Sequence, residues 1–151
     1  MTAMKELHEI MVTEAQLAEG LAAVLREQQE AIIESRTDDL DVLLQKSEEL
    51  IQPIASLENE RVRLSRQIIS TQGSKGHGAM AVTPESLLRS LDKNDAALMQ
   101  NVILRLRAAS HEVLRINRLN KPLLEHAQYF VRQTLRAATD DFKKKLVDKR
   151  M

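Results

Sequence analysis

The sequence predicts an all-α protein: an elongated antiparallel helical bundle or coiled coil of three long helices, with a short helix after a glycine-rich linker. Three observations predict it. Apolar residues recur at three- and four-residue steps along most of the 151 residues, the spacing that places them on one helical face. Aromatics make up 2% and tryptophan is absent, so the 43% apolar content is mostly Leu, Ile, Ala, Val and Met. A sheet protein draws instead on β-branched and aromatic residues. Three of the four glycines fall between residues 73 and 78, leaving long stretches on either side without one.

The first helix is expected from Thr2 to Ser35, with Leu7, Ile10, Leu17, Leu21, Val24 and Ala31 along its seam, widened by Met11, Ala18, Leu25 and Ile32. Only Glu14 and Gln28 interrupt it. Thr37 is placed to cap a second helix, with Asp38 and Asp39 in its positive first turn. That seam runs Leu40, Leu43, Ser47, Leu50, Ile54, Leu57, Arg61, Leu64, Ile68. Arg61 on the apolar line requires either a snorkelling side chain or a buried carboxylate beside it. Pro53 removes a backbone donor mid-helix and is expected to bend it. Residues 73–83 form the flexible linker. Thr83-Pro84-Glu85 then reads as an N-cap, a proline at the first helical position and a favourable acid. A short helix to Leu91 follows, and Asp92 or Asn94 starts a long one reaching Val147. Residues 148–151 are a tail, and the whole chain is one domain.

Length sets the geometry. At 1.5 Å per residue the first two helices each span roughly 50 Å and the last roughly 80 Å, so the last overhangs the hairpin. Pro122 lies near its middle and marks a bend or partial break between a packed and an available half. Beyond it Leu124, Ala127, Val131, Leu135, Ala138, Phe142 and Leu146 make a continuous stripe. A stripe that the hairpin does not cover must meet another chain.

The net charge of zero conceals an asymmetry: residues 1–72 hold 14 acidic and 7 basic side chains, residues 73–151 hold 8 and 15. Packing of an acidic hairpin against a basic helix accounts for it, with recruitment of an acidic partner as the alternative. Cysteine is absent, excluding disulfides and thiolate chemistry. No apolar run approaches the ~18 residues of a membrane span, and the start lacks a secretory pattern, so a cytoplasmic protein without membrane insertion is expected. No phosphate loop, HExxH, nucleophile elbow or Glu-x-x-His pair occurs, which argues against an enzyme, a cofactor or a metal; His77 in the linker has no second ligand near it. The basic residues of the last helix are spread around it without aromatic platforms, which argues against nucleic acid.

Two stretches carry a resemblance. AIIESRTDDLDVLLQKSEELIQPIASLENERVRLSRQI, through Asp39-Leu40, Leu43, Lys46, Leu50 and the Leu57, Glu58, Arg61, Leu64 run, resembles the N-terminal signature of the FlgN-type flagellar export chaperones. Asn117-x-x-Asn120 followed by Leu123-Leu124 is similar to that family's Asn-x-x-Asn segment. The resemblance covers residue 5 to about 138. It implies a helical cytosolic chaperone that binds the C-terminal helices of hook-filament junction proteins, prevents their aggregation and delivers them to the type III export apparatus. Partners at the export gate or its ATPase are implied too. Client contacts are attributed to the C-terminal helical part, here Asn117, Asn120, Leu123, Leu124, Ala127, Phe130, Val131, Leu135, Ala138 and Phe142. Lys121-Pro122 stands where the family often has a glycine, and the family's gate-linked Tyr-Gly segment has no counterpart, so Tyr129 is not assigned that role. The alternative is a coiled-coil homo-oligomeric scaffold whose stripe pairs with itself.

Overall fold

The computed structural model describes residues 2–72 and 82–150, and the side chains of these except residues 72, 131, 141–143 and 145–150. Four helices and no strand occur among the described residues: α1 (Ala3–Ile33), α2 (Thr37–Gln72), α3 (Pro84–Arg89) and α4 (Lys93–Arg150). The predicted linker, with Gly73, Gly76, Gly78 and His77, lies outside them apart from Val82 and Thr83.

The caps explain most boundaries. The Thr2 hydroxyl accepts from the Lys5 amide at 3.3 Å, and the Thr83 hydroxyl accepts from the Ser86 amide at 3.0 Å while Ser86 Oγ accepts from the Thr83 amide at 2.9 Å. This is a reciprocal capping box with serine in the usual glutamate place. Asp92 Oδ1 accepts from the Asp95 amide at 2.8 Å and opens α4. Thr37 does not cap α2 as expected. The helix starts one residue earlier in its bonding, with the Leu40 amide on the Arg36 carbonyl at 3.0 Å.

The α1–α2 turn is sharper than a segment without glycine suggests. Ser35 adopts φ 57°, the left-handed region. The Arg36 amide bonds back to the Ala31 carbonyl at 2.8 Å and the Ser35 amide to the Ile32 carbonyl at 3.2 Å. This is a Schellman termination with serine where glycine is usual.

Cross-helix ties fix the directions. Gln28 Nε2 donates to the Leu43 carbonyl at 3.1 Å and Arg61 pairs with Glu14 at 3.0 Å, so α2 returns antiparallel to α1. Arg105 pairs with Glu19, Arg26 with Glu112 at 3.1 Å, and Asn120 with Leu25, so α4 runs parallel to α1. The main core gathers Met4, Leu7, Met11 and Ala15 of α1, Leu64, Ile68 and Ile69 of α2, Leu87 of α3, and Met99, Val102, Ile103 and Leu106 of α4. Burial of such aliphatic side chains contributes about 1.5–3 kcal/mol each. A second cluster of Leu21, Ala22, Leu25 and Ile116, flanked by Leu50, Ile54 and Val113, continues it towards the α1–α2 turn.

Both awkward seam positions of α1 are satisfied from α2. Glu14, 4% exposed, meets the Arg61 guanidinium, which settles the placement of Arg61 as pairing. Burial pushes the Glu14 carboxyl above its ordinary value, with Arg61 pulling it back. Gln28 is held by the Leu43 carbonyl. The charge asymmetry is little used between helices: Glu19–Arg105 pairs hairpin acid with α4 base, whereas Arg26–Glu112 has the opposite sense. Hydrogen bonds from Arg115 and Arg26 hold Glu112 down at about 2.

Candidate functional site

Neither internal proline breaks its helix: α2 continues through Pro53 and α4 through Pro122. The expected partial break at Pro122 is therefore absent. The boundary it was meant to mark exists nonetheless, in the burial. Among the described side chains of α4, Ile116 and Asn120 are the last buried ones, at 1% and 5% exposure. Leu123, Leu124 and Ala127 are half-buried, and every residue after Ala127 whose side chain is described is exposed. Arg118 on the preceding turn simply lacks the amide partner that proline cannot offer its carbonyl, a loss water can make good on an exposed face.

Asn120 stands level with Leu25. From that tie α1 continues eight residues to Ile33 and α4 thirty to Arg150, or about 12 Å against about 45 Å. The arm thus projects roughly 33 Å beyond the hairpin. Leu124, Ala127 and Ala138 lie on the continuation of the face that Val102, Leu106, Ala109, Val113 and Asn120 turn to the hairpin lower down, at about 100° per residue. Leu135 borders that face on one side, and Leu123 and Phe130 border it on the other. Phe130 is 66% and Leu135 62% exposed.

The ten sequence-predicted contact residues therefore separate. Leu123, Leu124, Ala127, Phe130, Leu135 and Ala138 share the arm's broad apolar face. Val131 and Phe142 fall on the same helix, with side chains outside the described set. Asn117 is exposed on the bundle part. Asn120 is turned inward: its Nδ2 donates to the Leu25 carbonyl at 2.8 Å, and its buried Oδ1 has no hydrogen-bond partner among the described residues. An amide so engaged is part of the chain's own packing and unavailable to a client in this arrangement. Tyr129, 60% exposed, points away from the apolar face by its position on the helix.

Among the described residues no helix is long and apolar enough to cross a membrane, and no group of three His, Cys, Asp or Glu side chains could hold a metal ion. No curated protein and no solved structure matches the chain. The family model described as FlgN protein matches residues 1–147, nearly the whole sequence including both hairpin and arm. The chain belongs to the FlgN family of flagellar export chaperones.

Proposed function

We propose that this chain is a cytosolic chaperone that binds the C-terminal helical region of hook-filament junction proteins on the arm of α4, keeps them from aggregating and delivers them to the flagellar type III export apparatus. The observation that carries this reading is the uncovered apolar face, with Phe130 and Leu135 both more than 60% exposed on a helix projecting beyond its own bundle. Exposed contiguous apolar surface costs solubility unless a partner covers it, and an amphipathic helix laid along the face is the occupant its geometry suits. Each turn of client helix adds apolar contacts without requiring the bundle to open.

The test is a titration of a junction-protein C-terminal fragment into Phe130→Asp and Leu135→Asp variants. Both positions are exposed, so the fold should survive. Each variant is expected to weaken binding about tenfold or more, since a carboxylate in a desolvated apolar contact costs at least 1–3 kcal/mol. Unchanged affinity in both would remove the arm as the client site. The same samples in light scattering address the self-pairing scaffold, which requires a stable dimer that ignores the fragment.

A further inference from the structure

The bundle has three corners filled by long helices and a fourth filled only at one end. Both α2 and α4 pack on α1, yet among the described residues no Cα of α2 comes within 8 Å of one in α4. The short helix α3 sits between them at the foot of the groove, with Leu87 in the main core. Glu85 in its first turn meets Arg107 of α4 at 3.1 Å, so α3 reaches only to that level. Exposure follows it. At the level of α3, Ile69 of α2 and Ile103 of α4 are buried. Higher up, Ile51 stands five full turns from Ile69 on the same face, and Leu114 lies within about 20° of Ile103. These two are 49% and 52% exposed. Leu50, Ile54 and Val113, packed on the second cluster, are only half-buried. From Arg107 to Ala127 the open groove runs for about 30 Å.

The foot of the groove shows what the groove accepts, a single helix laid between α2 and α4. A helix of the right length is at hand. Residues 128–150 of α4 project beyond the hairpin as about 34 Å of helix, with an apolar face that the described chain leaves uncovered. The overall charges agree. Residues 128–151 hold seven basic and three acidic side chains, a net +4, and residues 37–60 of α2 hold one basic and seven acidic, a net −6. Attraction between such segments acts through their summed fields and needs no particular edge of either helix. Within one chain the arm rises away from α2, so the two do not meet.

We propose that two copies of the chain exchange arms, each arm lying in the open groove between α2 and α4 of the other, above α3. The geometry closes. Place the hairpin tips end to end across a two-fold axis perpendicular to α4 and directed from α4 to α1. The two α4 helices then lie side by side and antiparallel, and each arm has the other copy's α4 on one side and its α2 on the other. The quadrant of the arm between those neighbours is the one that holds Leu135, with Ala138 at its edge, at about 100° per residue. One operation fills both grooves and leaves no arm unpaired, so the assembly stops at two. This goes beyond the client reading: a second copy covers the apolar face until a client displaces it.

The full-length chain and its Ile51→Asp, Leu114→Asp, Leu135→Asp and Leu104→Asp variants are weighed by light scattering, with thermal melts showing that each folds. The parent is expected to move from the 17.1 kDa of one chain towards twice that mass between about 1 and 100 µM. Ile51→Asp and Leu114→Asp in the groove, and Leu135→Asp in the arm, should each weaken the dimer about tenfold or more, as a carboxylate enters a desolvated contact. Leu104 is 51% exposed on the face of α4 turned away from the bundle. Leu104→Asp should stay within about twofold of the parent. A parent that remains a monomer at about 100 µM overturns the exchange. So does loss in Leu135→Asp alone, the result expected of arm packed on arm. Titration with a junction-protein C-terminal fragment keeps the two readings apart. With both correct, Ile51→Asp binds the fragment about threefold or more tighter than the dimeric parent, because no second copy competes for the arm. Equal fragment affinity throughout, with the masses as expected, leaves the exchange standing and removes the arm as client site. Weaker fragment binding in Ile51→Asp gives the groove to the client and overturns the exchange.

Discussion

Without Arg61, the Glu14 carboxylate would sit 4% exposed among apolar neighbours with no cation beside it. Burial already raises its proton affinity in the intact protein. Arg61→Leu removes the opposing pull and raises the folded-state value further. A carboxyl whose folded value lies above its unfolded one stabilises the fold fully below the unfolded value and loses that contribution as pH rises through the folded one. Arg61→Leu is therefore expected to cost about 3 kcal/mol at pH 7 and clearly less near pH 4, measured by urea unfolding across that range. Glu14→Leu/Arg61→Leu, which leaves no buried charge, should recover most of the loss at pH 7. The sequence marked Glu14, Gln28 and Arg61 as misplaced on their seams. Which residue answers which depends on register between helices, and no spacing within one helix encodes that. Asn120 shows the same limit from the other side: its position suggested a client contact, and the tertiary fold spends its amide on Leu25.

At the level of elements, Ser35 holds a left-handed conformation that costs a side-chain-bearing residue roughly 1 kcal/mol relative to glycine. Ser35→Gly is expected to stabilise the chain by up to about 0.5 kcal/mol, after allowance for glycine's greater freedom when unfolded, read as a slightly higher urea midpoint at unchanged slope. Helix starts were legible because their signals are local: Thr2, Thr83-Pro84 and Asp92 each satisfy amides two or three residues on. The α1 stop was not legible in the same way, since a serine gives no sign of the Schellman geometry that tertiary packing imposes. Thr37 looked like a cap because its side chain type fits one. The turn had already satisfied the backbone differently, so the helix took it in. Pro53 and Pro122 carry the general lesson that a long helix absorbs the loss of a single hydrogen bond without breaking, whether or not both of its sides are packed.

For the whole molecule, the length mismatch between helices was readable from the sequence beside the all-α class, and α4 does run on past the hairpin, without the break expected at Pro122. Its direction required the parallel alignment of α1 and α4, which the ties from Glu19, Leu25 and Arg26 establish. Because the main core cluster ends on α4 at Leu106 and the second at Ile116, removal of residues 128–151 is expected to leave the unfolding free energy within about 1 kcal/mol of the parent. The same truncation should abolish capture of the junction-protein fragment, as read by calorimetric titration beside a thermal melt. A large fall in the melting temperature would show that the arm supports the bundle.

An uninterrupted helix gripped along one half behaves as a cantilever. Load placed on the free half is transmitted to the grip as bending, and the Asn120–Leu25 tie stands at the fulcrum. On the proposed reading, a cargo held on the arm leaves the outer faces of α1 and α2 bare. On that reading a second partner can dock on those faces while the cargo stays bound, so handover needs no prior release.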